Sequence, residues 1–291
     1  MQTTTLARAM WTLYEPIHAI TYFAAGARVE FEQAGLRGFW RGYFAGRAAP
    51  LGPVGPAPVV GLFNSFAPVM VERALPAVWD LISPEEALAA RNRGAVVVLA
   101  DLVDAREAAR LGDLLAPIVA AQEPAGHALG AANLALPEPD DPHARLWQAC
   151  TSLREHRGDG HVAALVAVGV TGADIVVLRC GIDSDRAVHQ PARGWSDEEW
   201  LAATSRLVRR ELLDADGEAT EAGRAVVVDA EEITNQAAAS PWEVLAPGEV
   251  LEVARSLSPL ARACRKLVPE VTPIGDLRLW DVENDPEYLH P

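Results

Sequence analysis

The sequence predicts a mainly α protein of two helical domains, the second carrying a short β-wing. Three observations lead there. Apolar residues recur at helical spacing along most of the 291-residue chain, and each run is bounded by a cap, a glycine or a proline cluster. LPEPDDPH (136–143) gathers three prolines and three acids, a linker composition that divides the chain near Pro142 into 1–142 and 143–291. LLDADGEAT (212–220) reads as two short strands about an Asp-Gly turn.

In the first domain TTTLARAMWTLYEPIHAITYF has helical periodicity that Pro16 should break, ending near Ala25-Gly26. ARVEFEQAG and LRGFWRGYFAGRA follow as helices, and LGPVGPAP (51–58) reads as a rigid loop. After VVGLFNSF and APVMVERALPAVWDLI comes a helix with Ser83 as N-cap, Pro84 at its first position and Glu85–Glu86 in its first turn. DAREAARLGDLLAPIVAAQ and GHALGAANLAL supply two more. The second domain opens with a helix over 143–168 that stops at Gly169, and another follows Thr171. A third starts at the capping box Ser196–Glu199. The short strands come next, then TEAGRAVVVDAEEITNQAAA and GEVLEVARSLSPLARACRKL as helices. Three helices, a wing and a long helix is the winged helix-turn-helix order. ARAMW with PIHAITYFA echoes ARLW with DGHVAALVA, aligning His18 with His161, and SPEEALAAR echoes SDEEWLAAT. The echoes suggest a tandem duplication, although alanine-rich helices also produce such matches by chance.

The formal charge of −15 disfavours nucleic acid and anionic membrane surfaces as partners. Cys150, Cys180 and Cys264 are widely spaced and form no CxxC, which fits a reducing cytoplasm. No basic leader precedes an apolar core at the N-terminus. The charge-free run Ala48–Val71 holds five prolines, so no membrane span is expected.

The stretch richest in chemistry is LREHRGDGHVAAL (153–165), a helix with two glycines among six charged or imidazole side chains. Glu155 and Asp159 are i,i+4 neighbours, as are Arg157 and His161, and His156 lies three residues from Asp159. Asp159 is placed to hold His156 in one tautomer, and Arg157 to hold a carboxylate. A buried polar network pinning helices together is the competing reading. His156 and His161 diverge by about 140° on a regular helix, so no metal site is expected. Glu15, His18 and Tyr22 fall near one face of the first helix, and Arg41, Tyr43 and Arg47 punctuate the otherwise apolar RGYFAGRAAPLG.

Long segments of the chain resemble a known family. WTLYEPIHAITYF, GLRGFWRGYFAGRAAPLGPVGPAPVV, FAPVMVERALPAVW, LREHRGDGHVAAL, ARGWSDEEWLAATSRLVRRELLDADGEATEAG and ASPW are similar to the actinobacterial SalK-like helix-turn-helix proteins, a MarR-like group. RGYFAGRAAPLG and EHRGDGH are the specific motifs, and Asn235 stands where Asp is more usual. The resemblance implies the fold, little about activity, and a homodimer, since MarR relatives pair through terminal helices.

A MarR-type protein would lay helix 196–213 in the major groove with Arg206, Arg209 and Arg210 toward phosphate. Yet residues 196–224 carry eight acids against four arginines. The expectation is therefore a winged-helix scaffold that binds, and through histidine acid–base chemistry transforms, a small polar or anionic molecule between its domains. His161 and His18 are the proton-transfer candidates, with Asp159 and Glu155 as orienters. Arg157, Arg47, His156, Tyr22, Arg41 and Tyr43 are the ligand contacts. The sequence names no cofactor. The alternative is a ligand-responsive regulator that binds DNA through that helix and the wing.

Overall fold

The computed structural model describes residues 3–269 and 278–284. Among the described residues fourteen α-helices account for most of the chain. They run α1 (Thr3–Phe23), α2 (Ala25–Gln33), α3 (Phe39–Ala48), α4 (Pro56–Phe63), α5 (Pro68–Glu72), α6 (Pro84–Leu99) and α7 (Ala105–Ala120), then α8 (Ala128–Leu134), α9 (Pro142–Ala167), α10 (Ala173–Cys180), α11 (Arg186–Arg193), α12 (Asp197–Arg209), α13 (Glu221–Ala237) and α14 (Pro247–Arg265). None of them is long and apolar enough to cross a membrane.

The helix starts follow local chemistry. Ser83 and Glu86 close a capping box on α6, and Ser196 and Glu199 close one on α12. Asp141 accepts from the backbone N–H groups of His143 and Ala144, with Pro142 at the first helical position of α9. Two expectations fail on tertiary grounds. Pro16 does not break α1: the helix runs through it, because every residue from Thr12 to Tyr22 is buried, and packing on all sides outweighs one lost backbone bond. Within the stretch read as a rigid loop, Pro56 instead begins α4.

The β-wing is not formed, which corrects the fold read from the sequence. Residues 212–220 contain one isolated antiparallel bridge, Leu213 to Ala219, and no strand is present among the described residues. Asp214 explains the arrangement. Its backbone N–H donates to the Glu218 carbonyl at 2.9 Å, while its carboxylate accepts from the N–H groups of Asp216 and Glu218. The loop thus closes on an aspartate-centred turn. Thr220 then caps α13 by accepting from Gly223 N, so the helix begins before a second strand can extend.

Three apolar cores result. One joins α1, α6, α7, the first half of α9 and α14 around Met10, Ile17, Trp147 and Leu257. A second gathers Phe31, Phe44, Phe63 and Met70 of α2 to α5. The third packs the end of α9 with α10 and α12 around Leu178, Trp200 and Leu207. Helix α9 touches α1, α6, α7, α8 and α13, so its sides face different environments and no single apolar stripe runs along it. Gly160 serves this packing: a Cβ there would sit 2.8 Å from Ala237 Cβ on α13. Gly160→Ala is therefore expected to push α9 and α13 apart and destabilise the protein by about 1–3 kcal/mol, read as a lower melting temperature with unchanged helical circular dichroism.

Candidate functional site

A cavity of about 560 Å³ opens between α1, α3, the 62–66 segment, α9, α10, α11 and α13. Among the described residues six arginines line it, Arg8, Arg47, Arg154, Arg157, Arg179 and Arg193, with two carboxylates, Glu15 and Glu231; Arg179 pairs with Asp183 at 2.8 Å. Phe23, Phe39, Trp40, Tyr43, Phe63 and Phe66 form its aromatic side. The size suits an organic ligand.

Helix α1 contributes a stripe at helical spacing, Arg8, Trp11, Glu15, His18 and Tyr22, all lining the cavity. Trp11 donates its indole N–H to Glu15 Oε2 at 2.9 Å. Its ring lies beneath the guanidiniums of Arg8 and Arg157, at 4.4 and 5.3 Å from the centroid. Glu231 on α13 accepts from Arg157 and pairs with Arg8 at 3.0 Å. Arg157 also donates to Asn235 Oδ1 at 2.9 Å, a neutral partner where an Asp would have supplied a charge.

Behind this wall lies Glu155, 1 % exposed. Arg47 grips it through two bonds of 2.8 and 2.9 Å, and Arg154 donates to the same carboxylate at 2.7 Å. Burial alone would raise the Glu155 carboxyl; Arg154 and Arg47 override it and hold the group well below the usual range. Arg47 lies 4.0 Å over the Phe63 ring and gives its remaining nitrogen to Tyr43 Oη at 3.1 Å. Arg154 reaches on to Glu15 at 3.4 Å.

Three histidines line the cavity, His18, His161 and His189, and burial lowers all three. His161 is pushed down to about 4, chiefly by burial, and His18 well below its ordinary value by burial and then by Arg154. These two place Nδ1 against a threonine hydroxyl, His18 on Thr151 at 3.1 Å and His161 on Thr234 at 3.0 Å. Thr234 gives its own proton to the Ala230 carbonyl at 2.6 Å, so it can only accept from His161. The proton therefore sits on Nδ1, and Nε2 carries the lone pair.

Of the residues singled out from the sequence, the cavity collects His18, His161, Tyr22, Tyr43, Arg47 and Arg157, with Glu155 behind them. Asp159 and His156 lie on the opposite side of α9. Asp159 accepts from Gly130 N at the start of α8, at 2.8 Å, and burial raises its carboxyl. His156 stacks on His127 with ring centroids 3.8 Å apart and is pushed down to about 4 by burial. Asp159 thus does not orient His156. Arg41 is exposed and outside the cavity. Gly158 lines the cavity, and a Cβ there would meet Arg154 Nη1 at 3.3 Å, so the two glycines of α9 serve the charge network and helix packing separately. Sequence reasoning missed Arg8, Trp11, Arg154, Arg193 and Glu231. The first two continue the Glu15–His18–Tyr22 periodicity and were open to the same count.

On α12, Arg206 is engaged with Asp174, its Nη2 at 2.6 Å from Oδ1 and its Nε at 3.1 Å from the same atom. Arg210 donates to the Gly169 carbonyl at 2.7 Å, and Arg209 is exposed. The supporting wing is absent, as described above.

Among known proteins, the model of a helix-turn-helix family matches residues 7–269 of this chain. No curated protein and no solved structure matches it.

Two measurements test this electrostatic account. Glu155→Gln leaves the buried Arg47 guanidinium without its carboxylate and Arg154 with Glu15 alone, and should destabilise by about 3–5 kcal/mol, seen in urea unfolding. A histidine at about 4 when folded and about 6.5 when unfolded gains a proton on unfolding throughout that interval. Stability should therefore be full above about pH 6.5 and decline as pH falls toward 4. His161→Gln should flatten part of that decline in melting temperature.

Proposed function

The chain belongs to that helix-turn-helix family, and from this premise we propose that its helices enclose a small anionic organic molecule and present no DNA-reading surface. The observation that carries the reading is the cavity lining, which among the described residues holds six arginines against Glu15 and Glu231, with Glu155 behind them, inside a chain whose formal charge is −15. Guanidiniums as buried as those of Arg47 and Arg157 favour a ligand that brings negative charge and planar acceptors. Carboxylates and phosphates have both. The aromatic side supplies contact for an apolar body.

His161 and His18 extend the reading to acid–base work on the bound molecule. Each is neutral and therefore able to take up a proton, and His161 has a defined tautomer with Nε2 as the basic nitrogen. Arg157 and Arg47 act as anion holders in this scheme, and Glu155 keeps Arg47 in place.

Two observations weigh against DNA as the partner of α12. Arg206 and Arg210 are spent on Asp174 and on a backbone carbonyl. Residues 196–224, which would face the phosphates, hold twice as many acids as arginines. The SalK-like, MarR-related kinship suggested by RGYFAGRAAPLG and EHRGDGH carries the further expectation of a dimer.

Native mass spectrometry of freshly purified protein tests retention of a ligand and reads the subunit number in one spectrum. Calorimetric titration with inorganic phosphate and with aliphatic and aromatic carboxylates follows. At least one anion should bind, and Arg157→Gln should weaken it about 10- to 100-fold, the value of a charge-assisted hydrogen bond. Failure of every anion to bind would sink the proposal, and so would a sequence-specific DNA complex at physiological salt that is lost in the Arg206→Ala, Arg209→Ala double variant.

A further inference from the structure

The anion-binding reading leaves open what kind of molecule fits, and three features of the wall narrow it. The first is the aromatic side. Phe39 and Trp40 pack edge-to-face at 4.8 Å, and Trp40 and Tyr43 each meet Phe66 at 5.7 Å. Rings so arranged favour a flat conjugated body over a saturated one of equal size.

The second feature is the Tyr43 hydroxyl. Its oxygen accepts from Arg47, so its own proton is available to a ligand, and it suits a carboxylate. Asn64 also lines the cavity, but its Oδ1 accepts from Gly172 N at 3.2 Å and its Nδ2 is buried away from the open space.

The third feature is the acceptor at His161. Thr234 fixes the proton on Nδ1, and Nε2 makes no hydrogen bond to any described residue. A ligand that satisfies it must offer a hydrogen-bond donor. Arg157, Arg154 and Arg8 act on His161 against the single carboxylate of Glu231, which disfavours an ammonium beside it, so the donor is a neutral hydroxyl or N–H.

We infer that the cavity is shaped for an aromatic acid bearing a neutral hydrogen-bond donor, with hydroxylated arene carboxylates the simplest members of the class. The carboxylate meets Tyr43 and the arginines, the ring lies along the aromatic side, and the hydroxyl donates to His161 Nε2. This assignment rests on the anion-binding reading and sharpens it.

Four probes test it by calorimetry: 2-naphthoate, 6-hydroxy-2-naphthoate, decahydronaphthalene-2-carboxylate and 2-naphthol. The hydroxylated acid should bind best and 2-naphthoate about tenfold more weakly, the difference of one hydrogen bond. The saturated acid and the uncharged naphthol should be weaker still. His161→Phe should erase the advantage of the hydroxyl, so that the two naphthoates bind alike. Thr234→Val, which frees the tautomer without altering the ring, should shrink the same advantage. Equal affinity for the two naphthoates in the unmodified protein overturns the donor assignment. Equal affinity for the aromatic and saturated acids overturns the aromatic one. If phosphate or aliphatic carboxylates bind and neither naphthoate does, this inference fails and the broader anion reading stands. If no anion binds, both fail.

Discussion

One carboxylate shared by two guanidiniums, Glu155 between Arg47 and Arg154, holds the cavity wall together. Removing such charges from water is expensive, and the geometry repays it only if the carboxylate oxygens are fully engaged. Here Arg47 takes both, at 2.8 and 2.9 Å, and Arg154 shares Oε2 at 2.7 Å. The contact joins α3 to α9 across 108 residues of sequence. It also positions what Arg47 touches next, the Phe63 face and the Tyr43 hydroxyl. Through Arg154 it continues to Glu15 and Trp11 on α1. The aromatic and basic sides of the cavity are thus two ends of one network, and neither can shift without the other.

Helix α9 makes that network compatible with a packed interior. Its first half supplies Trp147 and Cys150 to an apolar core. Its middle turns Glu155 and Arg154 to the cavity and Asp159 to the backbone of α8. Its end joins a second core through Leu165. A helix with three such neighbourhoods cannot show one apolar stripe. The density of charge in LREHRGDGHVAAL follows from this position: each polar side chain answers a specific partner on a different helix.

Much of the framework was legible because it is written in local chemistry. The capping boxes at Ser83 and Ser196 and the proline-started α9 depend on residues within one turn of each other, and periodicity located most of the helices. The wing was misread because Asp-Gly marks a turn without saying whether strands flank it. Whether they form is decided by how soon α13 is capped, at Thr220. Pro16 misled for a similar reason, since burial on all sides of α1 is a tertiary fact. In the cavity, the histidines and Arg47 stood out as charge in apolar surroundings. Arg193 and Asn64 did not, because their meaning comes from the approach of α10 and α11 to the 62–66 segment. Arg91 is the extreme case. This 1 % exposed arginine donates to Gly46 O, Asn133 and Gln148, and no spacing rule links those four positions.

The contrast between an acidic exterior and a basic cavity has a kinetic consequence. An anion approaching a chain of net charge −15 is repelled until it comes within reach of the cavity mouth. Added salt screens that long-range repulsion, with a screening length of about 8 Å at physiological ionic strength, and acts much less on charges in a buried wall. Association should therefore quicken as salt rises, while dissociation, governed by contacts inside, changes little. Electrostatic steering ordinarily runs the other way. If the proposed anion binds, the surrounding ions would act as a gate on its arrival, and the lifetime of the bound state would be left to the wall.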